Sequence, residues 1–263
     1  MSRAAAHPPP RAGSCLLLAL AVSCWAAADA RAQWSVDASV EHFSLREHVS
    51  PIDVHETGPR VALGLGFVQP RAHGLLLAYR GSAYGGNPDY EGSLQFDPTV
   101  SAHGASLYIG TTQGAELRYR WPDAIDALVG LDLDVWRRRL SVTQREDYRN
   151  LSARVGIERL ATSSSPMVAG ASVRWMLATS EHATISEGGV TYRLILSPGV
   201  GASPMLHVGY RVAQRVTVLA YWDGKRLARS QPLALLKRGR PQAIVFQPAT
   251  AVNVVSVRVA LGL

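Results

Sequence analysis

Apolar and polar residues alternate along the end of the chain. Val255, Val257, Val259, Leu261 and Leu263 share one parity, and Ser256, Arg258, Ala260 and Gly262 share the other. Strand side chains change face at every residue, so this run predicts a strand with one apolar face and one polar or small face. The same alternation recurs at 34–41, 61–67, 75–80, 115–121, 129–136, 151–158, 169–175, 206–210 and 215–222. With the closing run this predicts about ten strands. Eight or twelve are the alternatives, because 104–111 and 190–200 also alternate; they are read as strands prolonged past the main body. No segment after residue 33 approaches the roughly 18 consecutive apolar residues of a membrane helix.

The links have a rhythm of their own. Short ones at 69–72, 122–126, 162–166 and 211–214 alternate with long ones at about 44–59, 84–112, 140–150, 178–203 and 224–250. In an up-and-down barrel this puts every tight turn at one end and every long loop at the other, whereas a soluble sandwich has no reason to segregate them. Trp34, Phe67, Trp121 and Tyr210 sit on the apolar parity at the short-turn ends, while Trp175 and Trp222 lie nearer the long loops. Two interfacial aromatic girdles would be placed this way.

Alternating strands, the link rhythm and a terminal apolar-faced strand together resemble the outer-membrane β-barrel proteins of Gram-negative bacteria. Those more often end in Phe where this chain has Leu263. The resemblance spans 33–263 and implies an all-β, transmembrane, up-and-down antiparallel barrel in the cell outer membrane. Short turns would be periplasmic and long loops extracellular. It also implies insertion by periplasmic chaperones and the barrel assembly machinery, which reads the last strand.

The chain start changes the picture in the same direction. Arg3 and Arg11 precede a short apolar run, Cys15 to Val22, and Ala30-Arg31-Ala32 offers small residues for cleavage before Gln33. This reads as a secretory signal over 1–32 followed by one barrel domain over 33–263. Both cysteines, Cys15 and Cys24, fall in the removed segment, and Ala21-Val22-Ser23 before Cys24 is a poor lipidation signal. Losing three arginines and one aspartate takes the net charge from +7 to +5, a mild balance that gives no reason to expect a nucleic-acid partner in an exported chain.

If the apolar parity faces lipid, the other parity fills the lumen. It carries Asp37, Glu41, Glu116, Asp132, Asp134 and Glu158 against Arg60, Arg80, Arg118, Arg120, Arg154, Arg174, Arg215 and Arg258. Enclosed charges are costly unless paired, so these should interlock. Folding about 122–126 should set Arg118 and Arg120 opposite Asp132 or Asp134. The expected lumen is plugged by side chains; a narrow polar passage is the alternative.

Candidate chemistry is sparse. Asp132 and Asp134 superficially match the paired carboxylates of omptin-type proteases, but they sit mid-strand beside arginines. None of His42, His48, His55, His73, His103, His182 and His207 stands in a recognisable His-x-Ser setting; Ser180-Glu181-His182 comes nearest to a hydrolase triplet. His48, Asp53, His55 and Glu56 match no specific metal spacing, and Tyr84-Gly85-Gly86-Asn87 reads as a turn or bulge. The fifth long link clusters Lys225, Arg226, Arg229, Lys237, Arg238 and Arg240, and such guanidinium groups suit lipopolysaccharide phosphates. The function expected is a non-enzymatic barrel serving envelope structure or surface interaction, without a cofactor. A narrow solute channel is the alternative, and a surface hydrolase a more distant one.

Overall fold

The structure is a computed structural model that describes residues 32–49, 51–94, 97–187, 190–199, 201–237 and 240–263. The predicted signal, apart from Ala32, lies outside the described residues. In chain order the strands are β1 (Gln33–His48), β2 (Val54–Pro70), β3 (Leu75–Gly86), β4 (Asp89–Leu94), β5 (Asp97–Ala105), β6 (Leu107–Trp121), β7 (Ile125–Arg139) and β8 (Gln144–Arg159). They continue with β9 (Met167–Glu187), β10 (Val190–Leu196), β11 (Ala202–Ala213), β12 (Val216–Leu227), β13 (Leu233–Lys237), β14 (Arg240–Val245) and β15 (Ala249–Gly262).

Neighbouring strands pair antiparallel in the order β1, β15, β12, β11, β9, β8, β7, β6, β3, β2, and β1 also pairs with β2. That second pairing closes a ten-strand barrel and leaves no edge in the ring. The final run finds both its partners early and late in the chain: Val257 lies opposite Val40 on one side and Ala220 on the other. The remaining strands lie beyond the ring. The β4–β5 hairpin continues the edge of β2, β10 folds back on β9, and β13 pairs with β14.

Two of the predicted long links are mostly strand. β1 runs to His48 and β2 resumes at Val54; β7 runs to Arg139 and β8 resumes at Gln144. Backbone pairing is indifferent to what the outward side chain is, so the ladder continues after the outward residues turn polar. The extra alternating segments also resolve. Residues 107–111 begin β6, as a prolonged strand should, whereas 190–196 form the separate β10. Run 84–86 is the end of β3 and not a turn; a Cβ on Gly86 would come within 2.5 Å of the Pro59 carbonyl oxygen, so close pairing requires glycine there.

Exposure is inverted relative to a soluble protein. Leu63 is 69% exposed, Val40 66% and Val257 59%, while Glu116 is 3% and Arg118 4% exposed. A continuous apolar surface of this kind is unstable in water and suited to hydrocarbon. The outward apolar band ends at Val40, Val61, Val135, Leu151 and Val255, above which the outward residues become His42, Pro59, Arg137, Arg149 and Asn253. Among the described residues no helix is long and apolar enough to cross a membrane.

Candidate functional site: the barrel lumen

Register stacks the inward residues of β6, β7 and β8 into successive levels. From the turn end upward, β7 contributes Asp126, Leu128, Gly130, Asp132, Asp134, Trp136 and Arg138. Three kinds of layer result.

The lowest is an ion-pair network. Arg118 reaches Glu116 and Glu158, each at 2.6 Å. Arg154 bridges Glu116 and Asp132, the latter at 3.1 Å. Arg80, from β3, crosses to Glu158 on β8 at 3.1 Å, where His207 of β11 also approaches within 3.4 Å. Gly170 makes room for that imidazole, since a Cβ there would lie 2.3 Å from the ring. The space left between Arg80, Arg154, Glu158 and His207 is about 10 Å³, roughly what one water needs. Above this, Lys225 of β12 crosses to Asp134 of β7 at 2.5 Å, Arg174 pairs with Asp223, and Arg60 binds Glu41 at 2.8 Å. Tyr84 and Thr112 also donate to Asp134, at 2.9 and 3.0 Å. At the turn-end flank, Asp37 faces Arg258 at 3.4 Å.

Next comes an apolar disc. Trp136 stacks on Tyr148 with centroids 3.8 Å apart and planes 5° from parallel; Tyr108 bridges Trp136 to Phe43 at 5.6 and 4.7 Å. Leu45, Val252 and Val254 complete it. Arg60 lies over Phe43 and Tyr84, 4.5 Å from each ring, joining disc to network by cation–π contact. The signal for this layer was Trp136 on the polar parity, but only pairing brings it against Tyr148 and Tyr108.

The uppermost layer surrounds Arg138, which is 1% exposed. Its Nη1 donates to Glu47 at 2.8 Å and Glu146 at 2.9 Å, and its Nε donates to Glu56 at 2.6 Å. Gln247, from the last long link, donates to Glu47 at 3.1 Å and accepts from the Tyr148 hydroxyl at 3.3 Å. This layer stands above the apolar band, level with outward Arg137 and His182. Burial, and then the charges of Glu146 and Glu47, hold the nearby Glu181 carboxyl well above the ordinary glutamate range. Sequence alone does not single out Glu47, Glu146 or Arg138, and offers Glu56 and Glu181 only as metal and hydrolase candidates, because partners in this layer lie as far apart as the 200 residues between Glu47 and Gln247.

No protein-family model and no curated protein matches the chain. Solved structures do. The outer membrane protease OmpT from Escherichia coli aligns over 88% of this chain and 95% of its own, with a TM-score of 0.50 at 8% identity. The translocator domain of the autotransporter NalP from Neisseria meningitidis aligns over 92% of each chain, with a TM-score of 0.47 at 9% identity. Neisserial surface protein A covers 87% of this chain and 96% of its own, with a TM-score of 0.35 at 12% identity. The fold is that of a Gram-negative outer-membrane β-barrel.

Within this outer-membrane barrel fold, the predicted site residues divide. Asp37, Glu41, Arg60, Arg80, Glu116, Arg118, Asp132, Asp134, Arg154, Glu158, Arg174 and Arg258 all join lumen ion pairs. The predicted pairing across the 122–126 turn is corrected. The tight turn at Pro122–Ala124 sets Arg120 opposite Asp126, bound at 2.7 Å, and Arg118 opposite Leu128, whereas Asp132 and Asp134 face Gly114 and Thr112. Arg215 is no lumen residue either; it sits exposed at the β11–β12 turn.

Trp34 lies against Phe67 across β1–β2, with ring centroids 4.8 Å apart, and Trp121 lies edge-on to Tyr119. Trp121, Tyr210 and Trp175 are 46%, 50% and 45% exposed on the outer wall, and Trp222 lies on the same face between Leu206 and Val255. The fifth-link cations are dispersed. Lys225 is a lumen residue bound to Asp134, Arg226 donates to the Val252 carbonyl, and Arg229 lies over Phe246. Arg238 lies outside the described residues, as do the side chains of Lys237 and Arg240.

The hydrolase triplet is split by the strand: Ser180 and His182 face outward and Glu181 inward. His55 and Glu56 are separated in the same way, while His48 pairs with Asp53 at 3.3 Å. Among the described residues no group of three His, Cys, Asp or Glu is placed to hold a metal ion.

Proposed function

We propose that the protein is a non-enzymatic outer-membrane barrel with a closed lumen, serving envelope structure or surface interaction rather than solute passage. In this reading residues 1–32 are a cleaved export signal. The barrel assembly machinery inserts the chain with its tight turns in the periplasm and Arg138 towards the cell exterior. The observation that carries the reading is the stack of contacts spanning the lumen. Arg80–Glu158, Lys225–Asp134 and Arg138–Glu47 join strands that are not neighbours in the ring, and the aromatic disc lies between the last two levels.

A solute path would have to break buried ion pairs at two heights and part the rings between them, each pair being costly to separate. The same closure argues against hydrolysis at the Arg138 level. Glu47, Glu56 and Glu146 there are tied to the Arg138 guanidinium, and Glu181 points inward while its neighbour His182 points outward.

Purified protein in planar lipid bilayers should give no steady conductance, and unboiled protein should migrate as a compact, heat-modifiable band on a denaturing gel. Steady unitary steps from the compact form would overturn the closed-lumen reading and establish the channel. A protein that stays soluble without detergent would overturn the membrane reading.

A further inference from the structure

The outer wall carries a second feature that a closed barrel does not use. Just above the apolar band, β7 and β8 present Arg137, Arg139, Arg145 and Arg149 outward on adjacent strands. Asp147 is the one acid among them, accepting from Arg137 at 2.7 Å and Arg145 at 2.9 Å. Four guanidinium groups against one carboxylate leave a local charge of +3 on this strand pair. Arg139 lies directly opposite Arg145, a like-charge cross-strand pair of the kind that weakens a sheet unless something neutralises it. Arg149 lies opposite Val135 and Ser180, so no acid faces it across either strand.

The patch is also local. On the adjoining walls, Ile109 and Leu107 of β6 lie opposite Arg137 and Arg139, and His182 and Thr184 of β9 lie opposite Asp147 and Arg145. Directly beneath it the outward residues are Val135, Leu133, Leu131 and Leu151, so anything bound to the arginines would lay its apolar part on the band.

We propose that this β7–β8 wall is a binding site for a phosphate-bearing lipid of the surrounding leaflet, with a headgroup carrying more than one phosphate. Planar guanidinium groups bind phosphate oxygens in bidentate fashion, and one phosphate set between Arg139 and Arg145 removes their repulsion. A second is within reach of Arg149, one register step from the Arg137–Asp147 pair. Free phosphate would engage the same forks but would leave Leu131, Val135 and Leu151 unused. The inference rests on the membrane reading above and relocates the phosphate contact first expected at the fifth link: there Lys225 is spent inside the lumen, whereas these arginines face out.

The test uses full-length protein and a variant with Arg139→Ser, Arg145→Ser and Arg149→Ser. Both are purified in detergent and titrated with bisphosphorylated lipid A, its monophosphorylated form, phosphatidylglycerol micelles and inorganic phosphate, with binding read by native mass spectrometry. The wild type should prefer bisphosphorylated lipid A, and the variant should bind it roughly tenfold more weakly, the loss of one or two charge-assisted contacts. A compact, heat-modifiable band from the variant shows that the barrel itself is intact, which separates failure of this site from failure of the membrane reading. If the variant fails to fold, Arg149→Gln alone serves, with a smaller loss in the same direction. Equal binding by folded wild type and variant, or equal affinity of the wild type for inorganic phosphate and lipid A, overturns the proposal.

Discussion

Replacing Arg138 by Met tests the interior most severely. The guanidinium binds Glu47, Glu56 and Glu146 in a space where the four side chains are 2%, 7%, 0% and 9% exposed. Methionine fills similar volume but leaves three buried carboxylates with no cation between them. Removing one partner of a buried ion pair costs about 3–5 kcal/mol, and solvent screening offers little relief at this burial. The loss should therefore appear as a large fall in the urea midpoint of refolded protein in detergent at pH 7.

Removing the acids fixes the cause. Glu47→Gln, Glu56→Gln and Glu146→Gln in the Arg138→Met background take away the buried charges left without a cation, so most of the lost stability should return. The exposed pair Arg137–Asp147 next door is the control, since Arg137→Ser should cost below about 1 kcal/mol. An Arg138→Met barrel as stable as the wild type at pH 7, or a quadruple variant no more stable than Arg138→Met itself, would refute the account of this layer.

Two further outcomes follow from the same geometry. Glu181 is held above the ordinary range by burial and by Glu146 and Glu47, so its ionisation opposes folding at high pH and costs nothing once it is protonated. Glu181→Gln should therefore raise the heat-modification midpoint at pH 8 and leave it unchanged near pH 4; a destabilised variant at both values would contradict this. Val257→Arg places a charge in the middle of the outward band and should cost roughly 2–4 kcal/mol in lipid vesicles. Val142→Arg, at a fully exposed hairpin tip, should be neutral, and equal effects of the two would undo the inside–outside assignment.

The ten ring strands, their facing and the up-and-down order of the ring are legible in the local pattern. These rest on a period of two that each segment carries locally, and on tight turns short enough to dictate antiparallel neighbours. Parity even placed twelve paired lumen charges inside before any partner was known. What it could not supply was register and reach. The tight turn at Pro122–Ala124 decides that Arg120 meets Asp126 and not Asp132, six residues further along the partner strand. Contacts such as Lys225–Asp134 or Arg138–Glu47 span 91 residues and exist only once non-adjacent walls face each other across the lumen. Only the folded ring therefore decides which charges meet across the lumen. A cationic run beside a loop was split between lumen and surface for the same reason: in a strand, neighbours in sequence point opposite ways.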